Sequence, residues 1–201
     1  RPRAWNAGLE LPLNAADLAH CTTFFRSPAP FMSLFDRLFR KPTDPREAMR
    51  PLWHRTIEIA REPEWYRHCG VADTLEGRFD MVTAALAVVM LRMEGDPELA
   101  PRTAYLTEIF VEDMDGQLRQ SGVGDLVVGK KIGKLMSTLG GRLGAYREGF
   151  AESGPTLEDA ARRNVTLTDD SLAPKLAERL RALRLRLDAT DADAMLAGEI
   201  L

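Results

Sequence analysis

The sequence predicts an all-α fold, a single helical bundle around one central hydrophobic helix. Three observations carry that expectation. Within Gly70–Met93, Leu75, Phe79, Val82, Leu86, Val89 and Met93 recur at alternating steps of four and three, one continuous apolar stripe on a 3.6-residue helix. Further segments downstream repeat that period between Gly, Pro and capping residues. No alternating strand pattern of useful length occurs, and the β-branched cluster Val123–Val128 is cut by Gly124 and Asp125.

At 201 residues the chain suits one globular domain with appendages and is long enough to bury a real core. A net charge of −3 gives no reason for wholesale nucleic-acid binding, and no direct DNA binding is expected. Two cysteines, Cys21 and Cys69, suggest a reducing compartment without a disulfide framework. Lysine is confined to positions 41, 130, 131, 134 and 175 in a chain otherwise rich in arginine.

Taken in order, residues 1–31 show scattered prolines and no sustained period, and read as a disordered leader or an upstream extension before Met32. They lack the charged start, apolar region and cleavage site of a signal peptide. Residues 32–43 form an amphipathic helix and linker. Phe31, Leu34, Phe35, Leu38 and Phe39 lie on one side, suited to a peripheral membrane foot or to packing on the domain. Asp44-Pro45 opens a helix to about Arg61, with Pro51 either kinking it or beginning its main segment. PEWYRHCG then packs Trp65 and Tyr66 against the central helix.

The central helix starts at Asp73 or Thr74, whose side-chain oxygens can cap free N–H groups, and ends at Gly95. Its whole stripe is expected to be buried. Met81, Ala84, Ala85, Val88 and Leu91 make its other side apolar, which places it inside the bundle. Its uncharged run, Met81–Leu91, is far short of the roughly 20 residues that cross a bilayer. A helix from about Pro97 to Gln120 should return antiparallel after the short GDP link. Another runs from about Gly129 to Glu152, its glycines 133, 140, 141, 144 and 149 marking close helix contacts or a bend. Thr156 and Asp159 form a capping pattern for a shorter helix, and further helices span about Ser171–Asp188 and Thr190–Gly198.

Candidate chemistry is sparse. Gly124–Lys130 fits G-x-x-x-x-G-K, but Lys131 stands where Ser or Thr must hold magnesium, and a helix precedes it where a strand is needed. His20-Cys21 and His68-Cys69 offer a zinc ligand set at poor spacing, so no metal and no other cofactor is expected. No nucleophile elbow exists, no catalytic residues are assigned and no enzyme is indicated. A basic face is better supported. Lys130, Lys134 and Arg142 fall on one helical side with Lys131 beside them and Arg119 nearby, fit for lipid phosphates, an acidic partner or plain solvent.

Arg61-Glu-Pro-Glu-Trp-Tyr66, then Gly70-Val-Ala-Asp-Thr74 and Glu76-Gly-Arg-Phe-Asp80, resembles the start of the ubiquinol–cytochrome c reductase chaperone family. Met114-Asp115, Leu118-Arg119 and Gly122–Lys131 resemble its second signature, and Gly141-Arg142 with Ala145-Tyr146 its third, although Leu139-Gly140 stands where the family usually has an aromatic. Ala161–Asn164 and Leu196–Glu199 look more loosely like bacterial members. The resemblance assigns 44–152 to the family core and 153–201 to a C-terminal helical extension.

It implies a non-catalytic assembly factor that helps cytochrome b, or a related membrane client, enter the respiratory bc1 complex. Mitochondrial relatives work with a small partner protein near the ribosome, so a ribosome or small partner is an expected contact here, and the expected location is cytoplasmic or peripheral to the inner membrane. Asp73, Thr74, Arg78, Asp80, Arg119, Asp125, Lys130, Lys131, Lys134 and Arg142 are the candidate client- or partner-binding residues. Two junctions, GVADTLEGRF and GVGDLVVGKK, are expected side by side as a docking surface. Equally, Arg78 and Asp125 could bridge internally. Two other classes remain open: a peripheral lipid- or isoprenoid-binding protein, suggested by the foot and the basic face, and a nucleotide-binding enzyme, suggested by the broken phosphate loop.

Overall fold

A computed structural model of the chain describes residues 44–120, 124–151 and 156–200, apart from the side chains of Asp125 and Leu126. These residues belong to one compact unit spanning Pro42–Leu201. The leader, the foot residues Phe31, Leu34, Phe35, Leu38 and Phe39, and the His20-Cys21 pair lie outside the described residues. The fold is all-α, the described residues adding an isolated antiparallel bridge between Val71 and Leu167. Among the described residues, no helix is long and apolar enough to cross a membrane.

Asp44 opens the first element, a 3-10 turn over Pro45–Met49, by accepting the Arg46 N–H at 3.0 Å. Helix α1 (Arg50–Ala60) follows, with Pro51 in its first turn, where a missing N–H costs nothing. Pro51 therefore begins the main segment. In α2 (Pro63–Arg67) the buried Trp65 donates its indole N–H to the Ile59 carbonyl at 2.6 Å, and the Tyr66 hydroxyl donates to Ala60 O at 2.9 Å. Both aromatics satisfy carbonyls that the end of α1 leaves without helical partners.

Helix α3 (Leu75–Glu94) is the central helix, and Thr74 is its cap, accepting the Gly77 N–H at 3.2 Å. From Ala84 to Leu91 every residue is buried. The stripe does not stay in the core along its length. Leu86, Val89 and Met93 are buried, Phe79 and Val82 only partly so, and Leu75 is 86% exposed. Periodicity aligned these residues on one side, but the bundle covers only the C-terminal part of that side.

Helix α4 (Thr103–Gln120) is entered through a 3-10 turn, Ala100–Arg102, and runs back so that Met114 and Leu118 face the start of α3 across a gap. Phe110 meets Trp53 edge to face at 5.9 Å, tying α4 to α1. On its half-exposed side, Glu112 lies 3.9 Å from Arg46 of the first element and 3.7 Å from Arg50 at the start of α1.

Helix α5 (Asp125–Phe150) begins a turn earlier than the sequence suggested, which places Gly129 and Lys130 inside regular helix. The open phosphate loop considered for Gly124–Lys130 is therefore not formed: the segment is wound into helix from Asp125 on, and the Val127 and Val128 amides already donate to Gly124 O. Of the five glycines expected to mark close contacts or a bend, only Gly149 meets another element. A Cβ there would lie 2.9 Å from Leu157 Cα, whereas among the described residues nothing lies within 4 Å of one at 133, 140, 141 or 144.

Thr156 caps α6 (Leu157–Asn164), accepting the Asp159 N–H at 3.2 Å and donating its hydroxyl to the Asp159 carboxylate at 2.8 Å. Helices α7 (Ala173–Asp188) and α8 (Ala192–Ala197) complete the bundle. Leu176, Leu180, Leu183, Leu187 and Met195 join the same core as the central helix. The Ile200 carbonyl accepts two bonds from Arg55, at 3.1 and 2.7 Å, which anchors the closing residues to α1.

Candidate functional site

The loop before α3 is stitched to the segment after α6. Ala72 N–H donates to Thr166 O at 2.9 Å, and Thr168 N–H donates to Gly70 O at 2.8 Å. Gly70 adopts φ +77°, a conformation L side chains rarely take, and a Cβ there would sit 2.6 Å from Leu172. At Gly77 a Cβ would fall 2.0 Å from the Ala72 carbonyl oxygen. Close backbone packing thus sets where the first turn of α3 begins, and with it the direction of Leu75, Phe79 and Asp80.

Asp80 and Arg142 are joined in the interior of this region. Arg142 Nη2 lies 2.5 Å from Asp80 Oδ1, with 12% and 10% of the two side chains exposed. The other Asp80 oxygen accepts from Thr166 N at 2.9 Å and Thr166 Oγ1 at 2.7 Å. Arg142 Nη1 donates to Thr83 Oγ1, whose own proton is aimed at the Asp80 and Phe79 carbonyls. A buried charge pair with both partners so hydrogen-bonded is structurally satisfied, and one member alone would be very costly to bury. Nearby, the Tyr146 hydroxyl is buried without a hydrogen-bond partner among the described residues, and burial pushes its pKa well above the ordinary tyrosine value.

Beside this network lies an open groove of about 960 Å³ between α2, the start of α3, the far half of α4 and the middle of α5. Ile57, Tyr66, Phe79, Val82, Met114, Leu118 and Leu135 make its walls apolar, and Arg61, Arg67, Asp73, Glu76 and Arg78 form its charged edge. Leu75, almost fully in water, stands at its lip. A large apolar side chain left exposed beside a half-covered apolar surface is characteristic of a recognition site. Phe79 separates the groove from a second cavity of about 340 Å³ that reaches Asp80, Arg142, Arg163 and Thr166.

The candidate residues distribute unevenly over this geometry. Asp73 and Arg78 lie on the groove edge and pair with each other at 2.6 Å, and that hydrogen bond holds the Asp73 carboxyl below its usual range. Arg78 thus has a partner other than Asp125, whose side chain is outside the described residues. Thr74 serves as a helix cap, and Asp80 and Arg142 are spent on each other. Arg142 accordingly leaves the basic face that sequence periodicity gave it, drawn inward by Asp80. Lys130, Lys131 and Lys134 are exposed on α5, and Arg119 pairs with Asp115 at 2.6 Å. Of the two junctions, the first lines the groove, while the described part of the second reaches it through its helix, at Leu135.

Sequence reasoning did not single out Arg61, Tyr66, Met114 or Leu118 as one site, yet all four stand in the motifs that carry the family resemblance. The convergence of two distant motifs on one concavity was the available signal. Among the described residues, no group of His, Cys, Asp and Glu could hold a metal ion. His68 is exposed, and the neighbouring Cys69 thiol is buried with its pKa raised by that burial.

These features define an all-α bundle carrying an open apolar groove with a charged edge. The chain belongs to the ubiquinol-cytochrome C chaperone family, whose model matches residues 67–201. The crystal structure of the Cbp3 homolog from Brucella abortus is similar to it, with a TM-score of 0.66 and 28% sequence identity over 77% of this chain and 87% of that one. No curated protein matches. Membership of this family places the chain among the assembly factors of ubiquinol–cytochrome c reductase.

Proposed function

We propose that this protein is a non-catalytic chaperone of bc1-complex assembly that holds a helical segment of cytochrome b, or of a related membrane-protein client, in the groove beside α3. The observation that carries the reading is Leu75, 86% exposed at the lip of an apolar concavity that the family motifs line. An amphipathic segment of such a client must hide its apolar face before it is assembled, and a half-open groove can cover that side of a helix while leaving the polar side in water. Holding requires no reacting group, and the charged pairs at the edge are already neutralised or exposed. The protein would act at the cytoplasmic face of the inner membrane, where a ribosome or a small partner protein could hand over the client.

A photo-crosslinking residue placed at Leu75 in growing cells tests this. The expected adduct is a membrane subunit of the bc1 complex, and deletion of the gene should lower bc1 content and the haem b signal. Adducts confined to lipid, with unchanged bc1 content, would favour the isoprenoid- or lipid-binding alternative instead.

A further inference from the structure

The charges around the groove are unequal once internal pairs are removed. Arg78 is matched by Asp73. Arg61 and Arg67, on the α2 side, have no acidic partner among the described residues, and Lys131 lies one turn before the groove residue Leu135 on the same helix. Among the described residues, Glu76 is the one acid of the edge without an ion-pair partner. Among the described residues, more unpaired cations than unpaired acids therefore border the apolar groove.

Its shape narrows the occupant further. From Leu75 to Val82 the central helix presents about 10 Å of length to the groove, at ~1.5 Å per residue, which matches two turns of a docked helix. An occupant of that length offers apolar anchors at i, i+3 or i+4, and i+7. The side facing away stays in water, as suits an amphipathic helix and not an acyl chain, which needs cover all round. Resting on the client-binding reading above, we infer that the groove selects amphipathic helices whose apolar stripe is flanked by Asp or Glu, with Arg61 and Arg67 reading those carboxylates.

The test uses the full chain and two synthetic helical peptides sharing one leucine stripe, one flanked by glutamates and its twin by lysines, with binding read by fluorescence anisotropy. At low salt the glutamate peptide should bind about tenfold more tightly than its twin, the scale set by a few exposed charge contacts. Arg61→Glu with Arg67→Glu should reverse that order, and concentrated salt should flatten it. Both sites are exposed, so folding is not at stake, and circular dichroism checks this. Leu75→Asp should abolish binding of both peptides. Equal binding of the twins that Leu75→Asp still abolishes overturns the charge inference and leaves the groove reading standing. Binding of neither peptide, or binding indifferent to Leu75→Asp, overturns both. Recovery on anionic phosphatidylglycerol vesicles without peptide binding also overturns the inference and assigns the cations to a membrane surface.

Discussion

Arg142 in the middle of α5 reaches Asp80 on the central helix at 2.5 Å, across sixty-two positions of sequence, and the pair is almost shut off from solvent. It joins the helix that floors the groove to the helix that walls it, and through Thr166 it also holds the segment that follows α6. Removing either partner strands a buried charge. Arg142→Ala or Asp80→Ala should each cost about 3–5 kcal/mol in urea unfolding. The double variant should lose clearly less than the sum, because it buries no orphan.

Tyr146 gives the opposite sign. Its hydroxyl is dehydrated without a hydrogen bond among the described residues, so Tyr146→Phe removes a cost and no contact. Stability should stay level or rise by up to about 1 kcal/mol, read as a shift in melting temperature. A loss of more than that would reveal a partner for the hydroxyl.

Two kinds of glycine should separate cleanly. Gly77→Ala drives a Cβ into the Ala72 carbonyl and should displace the start of α3, lowering stability and peptide binding together. Gly133→Ala and Gly140→Ala, in mid-helix, meet nothing within 4 Å among the described residues, and each should stabilise by up to about 1 kcal/mol through helix propensity.

Acid should loosen the first element. The side-chain hydrogen bond from Arg46 lowers the Asp44 carboxyl from 3.8 to about 2. A depressed carboxylate contributes stability that is present above its ordinary value and lost as pH falls through the folded one. Docking of the 3-10 turn should therefore weaken from about pH 4 down through 2. Carboxyl NMR of Asp44 should show a midpoint near 2, and Asp44→Asn should remove that pH dependence.

The sequence alone determined what depends on near neighbours. Thr74, Thr156 and the Asp44-Pro45 step are caps because their partners lie two or three residues away, and the 3.6-residue period defined which sides of the helices are apolar. The family motifs were legible for the same reason. Tertiary structure alone decided what covers each side. It buried Leu86 and Val89, half-covered Phe79 and Val82, and left Leu75 in water, although all five share one stripe. It also turned Arg142 from a surface cation into the partner of Asp80. Periodicity records the direction of a side chain about its own axis, whereas burial and ion pairing depend on a second element whose approach no local pattern encodes.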